Sequence, residues 1–247
     1  MDLEGKRIVV VGGSRGLGKG LVEAFVARAA DVTVVARNAD AVQEAGEQTA
    51  VTAISADATD ADAAWRIMDQ TRPDIVIMNA GAEPPMERID RIGWEAFTTN
   101  WNVDVKAALH WVQAALTLPM TPGGIVVLVS SGAAVQGSLL SGGYAGAKRA
   151  QWFIAKYAEA LSQKLGLGLR FRVIVPRQMF AGTGVGDTGI TAYAAAAGRT
   201  YAEQAATWPD MTPRAFGDTV ADLIGKTDLA EAMVYAVRGD TGVTVIE

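Results

Sequence analysis

The sequence predicts a single α/β domain over residues 1–247, a doubly wound parallel sheet of about seven strands flanked by helices. Three observations predict it. Short runs rich in valine and isoleucine, such as RIVVV at Arg7–Val11 and DIVIM at Asp74–Met78, recur between longer amphipathic stretches. Such runs lack polar/apolar alternation, as expected of strands buried on both faces. The first run passes through a glycine-rich turn straight into a helical pattern. Finally, 247 residues, half of them hydrophobic, suffice for one sizeable core, and no linker or repeat divides them.

Composition narrows the function. A net charge of −5 and a pI near 5.0 argue against a nucleic-acid or membrane-surface partner. The absence of cysteine excludes disulfides, thiol nucleophiles and cysteine-based metal sites. The lone histidine, His110, lies in a helical pattern and reads as structural, so neither a histidine-cluster metal site nor a Ser-His-Asp triad is expected. The start, MDLEGKRIVVV, lacks the basic and long apolar regions of a signal peptide, and no run reaches the length of a membrane span. A cytoplasmic location is therefore expected.

Arg7–Val11 reads as the first strand and runs into GGSRGLGKG, followed by a helix from about Leu17 to Ala30. Gly12, Gly16 and Gly18 form G-x-x-x-G-x-G. A dinucleotide needs this chemistry: a tight strand-to-helix turn, backbone that can approach the pyrophosphate, and a helix N-terminus aimed at the phosphate charge. The second strand, Val32–Ala36, ends in ARN. An NAD-binding unit usually carries Asp or Glu there for the ribose 2′-hydroxyl. Here Ala36 and Arg37 stand instead, and Arg15 in the glycine loop can reach the same spot. Two guanidinium groups flanking a 2′-phosphate make strong charge-assisted bonds. NADP(H) is therefore expected over NAD(H).

The next elements are a helix at 39–48, a third strand at Val51–Ser55 and then Asp57-Ala58, where Asp57 can serve a nucleotide or cap the following helix. The fourth strand, Asp74–Met78, leads into Asn79-Ala80-Gly81, at the sheet edge where open parallel sheets bind ligands. A long helical stretch runs from about Trp94 to Leu118 and carries Asn100 in mid-helix, against helix propensity. Ile125–Ser130 forms the fifth strand, and a helix begins after Gly143 and reaches roughly Leu165. On it Tyr144 and Lys148 stand one turn apart on one face. An ammonium beside a phenol favours phenolate, and a tyrosine tuned that way exchanges a proton with an alcohol oxygen. Ser131 precedes Tyr144 at the end of the fifth strand. Arg170–Val175 is the sixth strand, Thr212-Pro213 opens a helix, and Val243–Ile246 is a seventh strand.

This chain resembles the short-chain dehydrogenase/reductase family, most securely over residues 7–176, on the glycine motif, Asn79-Ala80-Gly81, Ser131 and the Tyr144-x-x-x-Lys148 helix in that order. The resemblance implies a Rossmann-like domain and an NADP(H)-dependent enzyme interconverting a carbonyl and an alcohol by hydride transfer. It implies Tyr144 as general acid/base, Ser131 holding the carbonyl oxygen, Lys148 tuning the tyrosine and binding the nicotinamide ribose, and Asn100 completing a proton relay through a local helix bend. It assigns the cofactor to Gly12, Ser14, Arg15, Gly16, Leu17 and Gly18, to Arg37, Asn38, Asp57 and Ala58, and to Asn79, Ala80 and Gly81. Tyr144, Lys148, Pro176 and Thr183 complete that set. A homodimer or homotetramer is implied, with the 94–118 helix and the Tyr-Lys helix as the contact. Residues 184–211 hold the place of the substrate lid. Leu139, Met179, Phe180 and Tyr193 read as an apolar or aromatic pocket or, equally, as core packing. Three departures stand out: Val11 where the family starts its motif with threonine, Arg177 where it has glycine, and an end at Glu247 without the usual Asp-Gly-Gly. Arg177 reads first as solvent-facing or structural, and otherwise as a contact to the pyrophosphate or to an anionic substrate group. A non-catalytic NADP(H)-binding sensor or scaffold on the same fold is the alternative.

Overall fold

The computed structural model describes residues 1–38, 40, 51–118, 120–226 and 232–246. The helix expected at 39–48 lies outside the described residues, Asp40 excepted. Among them, eight strands form one sheet: β1 (Arg7–Val11), β2 (Asp31–Ala36), β3 (Thr52–Ser55), β4 (Ile75–Met78), β5 (Ile125–Val129), β6 (Arg170–Pro176), β7 (Val234–Arg238) and β8 (Gly242–Val245). Their order is β3-β2-β1-β4-β5-β6-β7-β8. All neighbours pair in parallel except β7 and β8.

The valine- and isoleucine-rich strands fold here because both sheet faces are covered. The four residues of β4 and the five of β5 are all buried. On one face pack α2 (Ala61–Thr71), α4 (Lys106–Thr117) and α6 (Tyr144–Leu165), which place Ile67, Met68, Trp111 and Trp152 against Val9, Val76, Leu128 and Phe171. On the other face, α1 (Gly16–Val26) and α9 (Pro213–Gly225) bring Leu21, Phe25, Phe216 and Ile224 onto Ile8, Val10, Ile77 and Val127. α1 and α9 touch through glycine: a Cβ on Gly217 would lie 2.1 Å from the Gly20 carbonyl oxygen.

Two elements differ from expectation. Val234–Arg238 is the seventh strand, and the C-terminal run expected in that place is the eighth, Gly242–Val245, antiparallel at the sheet edge with all four residues exposed. The helix from Trp94 is not one regular rod. It is α3 (Trp94–Asn100), a π-helical turn at Trp101–Val105, and α4. A π turn carries one residue more than an α turn, so the faces of α3 and α4 are out of step. The region 184–211 contains α7 (Gly184–Ala197) and α8 (Tyr201–Ala205); a short α5 (Ala133–Gln136) follows β5.

Strand order reverses between β1 and β4: β2 and β3 extend the sheet on one side of β1, and β4 to β8 extend it on the other. Ligands of open α/β sheets bind at such a switch point, beyond the carboxyl ends of the strands.

Candidate active site

At that switch point lies a cavity of about 1070 Å³. The turn from β1 to α1 forms its floor, and its geometry explains the glycines. Gly12 has φ +83° and Gly16 φ +54°, conformations side chains disfavour. A Cβ on Gly12 would lie 2.6 Å from the Ala80 backbone, and one on Gly18 only 1.9 Å from the Gly12 carbonyl oxygen. Asn79 Nδ2 donates to that same oxygen at 2.9 Å, tying the ends of β1 and β4 together. No side chain caps α1, and its first turn carries no acidic residue. Its N-terminal N–H groups are thus available to a phosphate. The residues present fit a dinucleotide, and Gly12, Ser14, Arg15, Gly16, Leu17, Asn79, Ala80 and Gly81 line the cavity. Gly18, inside the first turn of α1, acts by closeness alone.

At the end beyond β2 and β3, Arg37, Asn38, Asp57 and Ala58 line the cavity. The Asp57 carboxylate accepts from Thr59 N at 2.8 Å and Thr59 Oγ1 at 2.9 Å. The Thr59 N–H foremost, with nearby Arg37 adding to it, holds the Asp57 carboxyl below the ordinary aspartate range. Asp57 does not cap the following helix; Asp60 does, through Asp62 N. Arg15 is turned toward Glu83, 3.5 Å away, with both side chains largely exposed.

At the other end, β5 delivers Ser131 and α6 delivers Tyr144 and Lys148. Tyr144 is 8% exposed and Lys148 5%. The ammonium lies 5.9 Å from the centre of the phenol ring. The Ser131 Oγ accepts from Ala133 N at 3.2 Å, and the serine pulls the phenol's pKa down. Burial raises the Tyr144 pKa above the ordinary phenol value, and the opposing pull of Lys148 and Ser131 does not reverse it. The ammonium pulls in the expected direction, but the expected net lowering is overturned: in a closed pocket, desolvation of a phenolate outweighs one cation that is itself partnered.

That partner is Asp104. Its Oδ2 lies 3.0 Å from Lys148 Nζ, and both side chains are buried. Lys148 also donates to Val129 O at 3.2 Å. Asp104 Oδ1 accepts from Ala82 N at 2.8 Å and from Asn100 Nδ2 at 3.3 Å. Asn100 is fully buried and donates to Ala82 O at 2.8 Å. It stands one residue before the π turn, but the side chain at Lys148 belongs to Asp104. The signal that could have found Asp104 was its place: 104, 107, 108, 111 and 115 share one helical face, and all the others are apolar and buried.

Pro176 and Thr183 line the cavity, but the Thr183 hydroxyl is committed locally, accepting from Gly186 N and donating to Phe180 O at 2.8 Å. Arg177 is exposed at the rim, as expected. Of the candidate pocket residues, Met179, Phe180 and Tyr193 line the cavity; Leu139 is 88% exposed and does not. Phe180 is buried edge-on against Phe216. Tyr193 OH meets Ser138 Oγ at 2.6 Å across the mouth. His110 Nδ1 faces Thr59 O at 3.0 Å, away from this chemistry. No group of acidic or histidine side chains among the described residues could hold a metal.

A family model described as short chain dehydrogenase matches residues 6–180. A cis-2,3-dihydrobiphenyl-2,3-diol dehydrogenase of Rhodococcus globerulus is 31% identical over 194 residues, 71% of this chain and 66% of that protein. A hydroxynaphthalene reductase of Aspergillus fumigatus is 31% identical over 163 residues, 61% and 58% of the two chains. A cyclic-di-GMP-binding biofilm dispersal mediator protein of Escherichia coli is 30% identical over 137 residues, 51% and 54%. The matched part spans 54% to 66% of these relatives' own length.

Proposed function

Because the chain belongs to the short-chain dehydrogenase family, we propose that it is an NADP(H)-dependent oxidoreductase that interconverts a ketone or aldehyde and an alcohol, with Tyr144 moving the proton. The observation that carries this reading is the convergence of Ser131, Tyr144 and Lys148 in the cavity that the glycine turn floors. Bound nicotinamide supplies the hydride exchanged with the carbonyl carbon. The chain's own residues do the rest. Gly12 to Gly18 and the start of α1 hold the pyrophosphate. Arg37, Asn38 and, once released from Glu83, Arg15 hold the 2′-phosphate; Asp57 and Ala58 flank the adenine. Lys148 has three N–H donors, and two directions are taken by Asp104 and Val129. The third serves the nicotinamide ribose. Ser131 and Tyr144 hydroxyls both address the carbonyl oxygen, and Tyr144 gives its proton as negative charge develops there. A buried, neutral phenol is the form that can give it. Residues 184–211 close over the substrate.

A homodimer or homotetramer belongs to the same proposal. Exposed Leu109 on α4, with Phe153, Tyr157 and Leu161 recurring every fourth residue on α6, supports a helix-to-helix contact. The second reading is an NADP(H)-binding sensor without turnover on the same fold; one relative is named for binding a nucleotide, cyclic di-GMP, and not for a reaction. NADPH and NADH oxidation over a panel of ketones, aldehydes and keto-acids decides between them. Turnover that vanishes in Tyr144→Phe upholds the enzyme; tight NADPH binding with no turnover on any member favours the sensor.

A further inference from the structure

We propose that Asp104 is a positioning residue that neutralises Lys148 and thereby keeps Tyr144 in its phenol form, setting the site as a proton donor well into alkaline pH. The inference rests on the reading of Tyr144 as the acid/base and adds a residue to it. Lys148 Nζ is closer to the Asp104 carboxylate, at 3.0 Å, than to the Tyr144 ring, at 5.9 Å from its centre. An ammonium alone would draw the phenol toward phenolate. An ammonium and carboxylate in contact act as a dipole, whose field at the ring is far weaker. Both members are out of water, so solvent does not screen them apart.

The carboxylate is held for this arrangement. Ala82 N and Asn100 Nδ2 bond Oδ1, which leaves Oδ2 for Lys148. A Cβ on Gly81 would lie 2.8 Å from Oδ2, so only glycine lets the carboxylate sit there. Gln151 Nε2 reaches Asp104 O at 3.4 Å, fixing the backbone from α6. The π turn rotates residue 104 inward. Among the described residues, the titratable or charged groups facing one another here are Asp104 from the π turn, Lys148 and Tyr144 from α6, and Tyr193 from α7, with Val129 O from β5 and Ser131 just beyond it. Burial works against the Lys148 charge, but Asp104 and then Tyr144 outweigh it, so the lysine is held protonated more firmly than usual. Asp104 in turn adds to the upward push that burial gives Tyr144.

Two measurements test this. Asp104→Asn keeps a carbonyl acceptor for Ala82 N and Asn100 Nδ2, removes the charge, and turns an amide N–H donor in place of an acceptor toward Lys148. In the pH profiles of kcat/KM, the rising limb of alcohol oxidation and the falling limb of carbonyl reduction should move to lower pH by roughly half a unit or more. NADPH affinity should stay within about threefold, a difference under 1 kcal/mol. Unmoved limbs in a folded variant that binds cofactor would mean Asp104 only braces the Gly81–Ala82 turn, and the proposal fails. The second measurement needs neither turnover nor that variant. With 13Cζ-labelled tyrosine in the whole wild-type chain, and the Tyr144 resonance identified by its loss in Tyr144→Phe, Tyr144 should remain a phenol up to at least about pH 10, the ordinary tyrosine value. A Tyr144 phenolate at pH 8 overturns the proposal, even if no substrate has been found.

Discussion

Gly18 and Gly12 stand so close that a single added methyl on Gly18 would lie 1.9 Å from the Gly12 carbonyl oxygen. Two physical effects then compete in Gly18→Ala. Within a helix, alanine is preferred to glycine by about 1 kcal/mol. Against it stands a backbone clash that no side-chain rotation relieves. The clash wins, and the loop must open. NADPH affinity is expected to fall at least about tenfold, roughly 1.4 kcal/mol, with a lower melting temperature. Tighter binding, or a raised melting temperature, would show that the turn has room for a methyl after all.

Tyr144→Phe removes one oxygen from a buried ring and leaves its packing. Carbonyl reduction should drop by roughly a thousandfold or more, within the range general acids contribute. NADPH titration and the unfolding curve should be nearly those of the wild type. Retained turnover in this variant would remove Tyr144 from the mechanism.

Arg37→Ala should weaken NADPH about tenfold or more, the scale of one lost charge-assisted hydrogen bond, and leave NADH almost unchanged. Glu83→Gln should act the other way. It frees Arg15 from its carboxylate, so NADPH is expected to bind more tightly at low salt. A wild-type preference for NADH would refute the clamp while leaving Tyr144 and Lys148 untouched.

Acid should unfold the protein through particular carboxylates. The Asp218 carboxyl is held low first by Arg28, whose Nη1 lies 2.8 Å away. Burial would raise the Asp74 carboxyl, but the Arg7 N–H at 3.0 Å and the Arg7 side chain overcome it. Asp57 is held low by Thr59. Each folded pKa lies below the unfolded one, so the stability these groups contribute is complete above about pH 3.9 and disappears as pH falls through the folded values. Urea unfolding at stepped pH should show that loss, and Asp74→Asn should flatten it. An equal slope in the variant would assign the acid sensitivity elsewhere.

How far the chain could be read depended on whether local pattern or long-range packing decided. β1, β4 and β6 announced themselves as valine and isoleucine runs because they are buried on both faces. The Thr212 cap and Pro213 marked α9 for a purely local reason. Val234–Arg238 escaped because VYAVR is short and carries a tyrosine and an arginine; its place beside β6 is set by pairing, which local sequence does not show. Ser131, Tyr144 and Lys148 were legible because strand end and helix face follow from spacing. The charge on Tyr144 was not, because it depends on burial and on a carboxylate from another helix. Counting along a regular helix from Trp94 singles out Asn100, and the π turn is what brings Asp104 to the lysine instead.

That turn makes the site hostage to length rather than to identity. One residue removed between Trp101 and Val105 would restore a regular helix and swing α3 by about 100° relative to α4. Every side chain needed for the chemistry could survive such a deletion, and Lys148 would still lose its carboxylate or α3 its footing. Over this stretch, divergence by point substitution has room, whereas insertion and deletion do not. A gap placed there when this chain is aligned with its relatives changes which residue is taken to stand opposite the lysine.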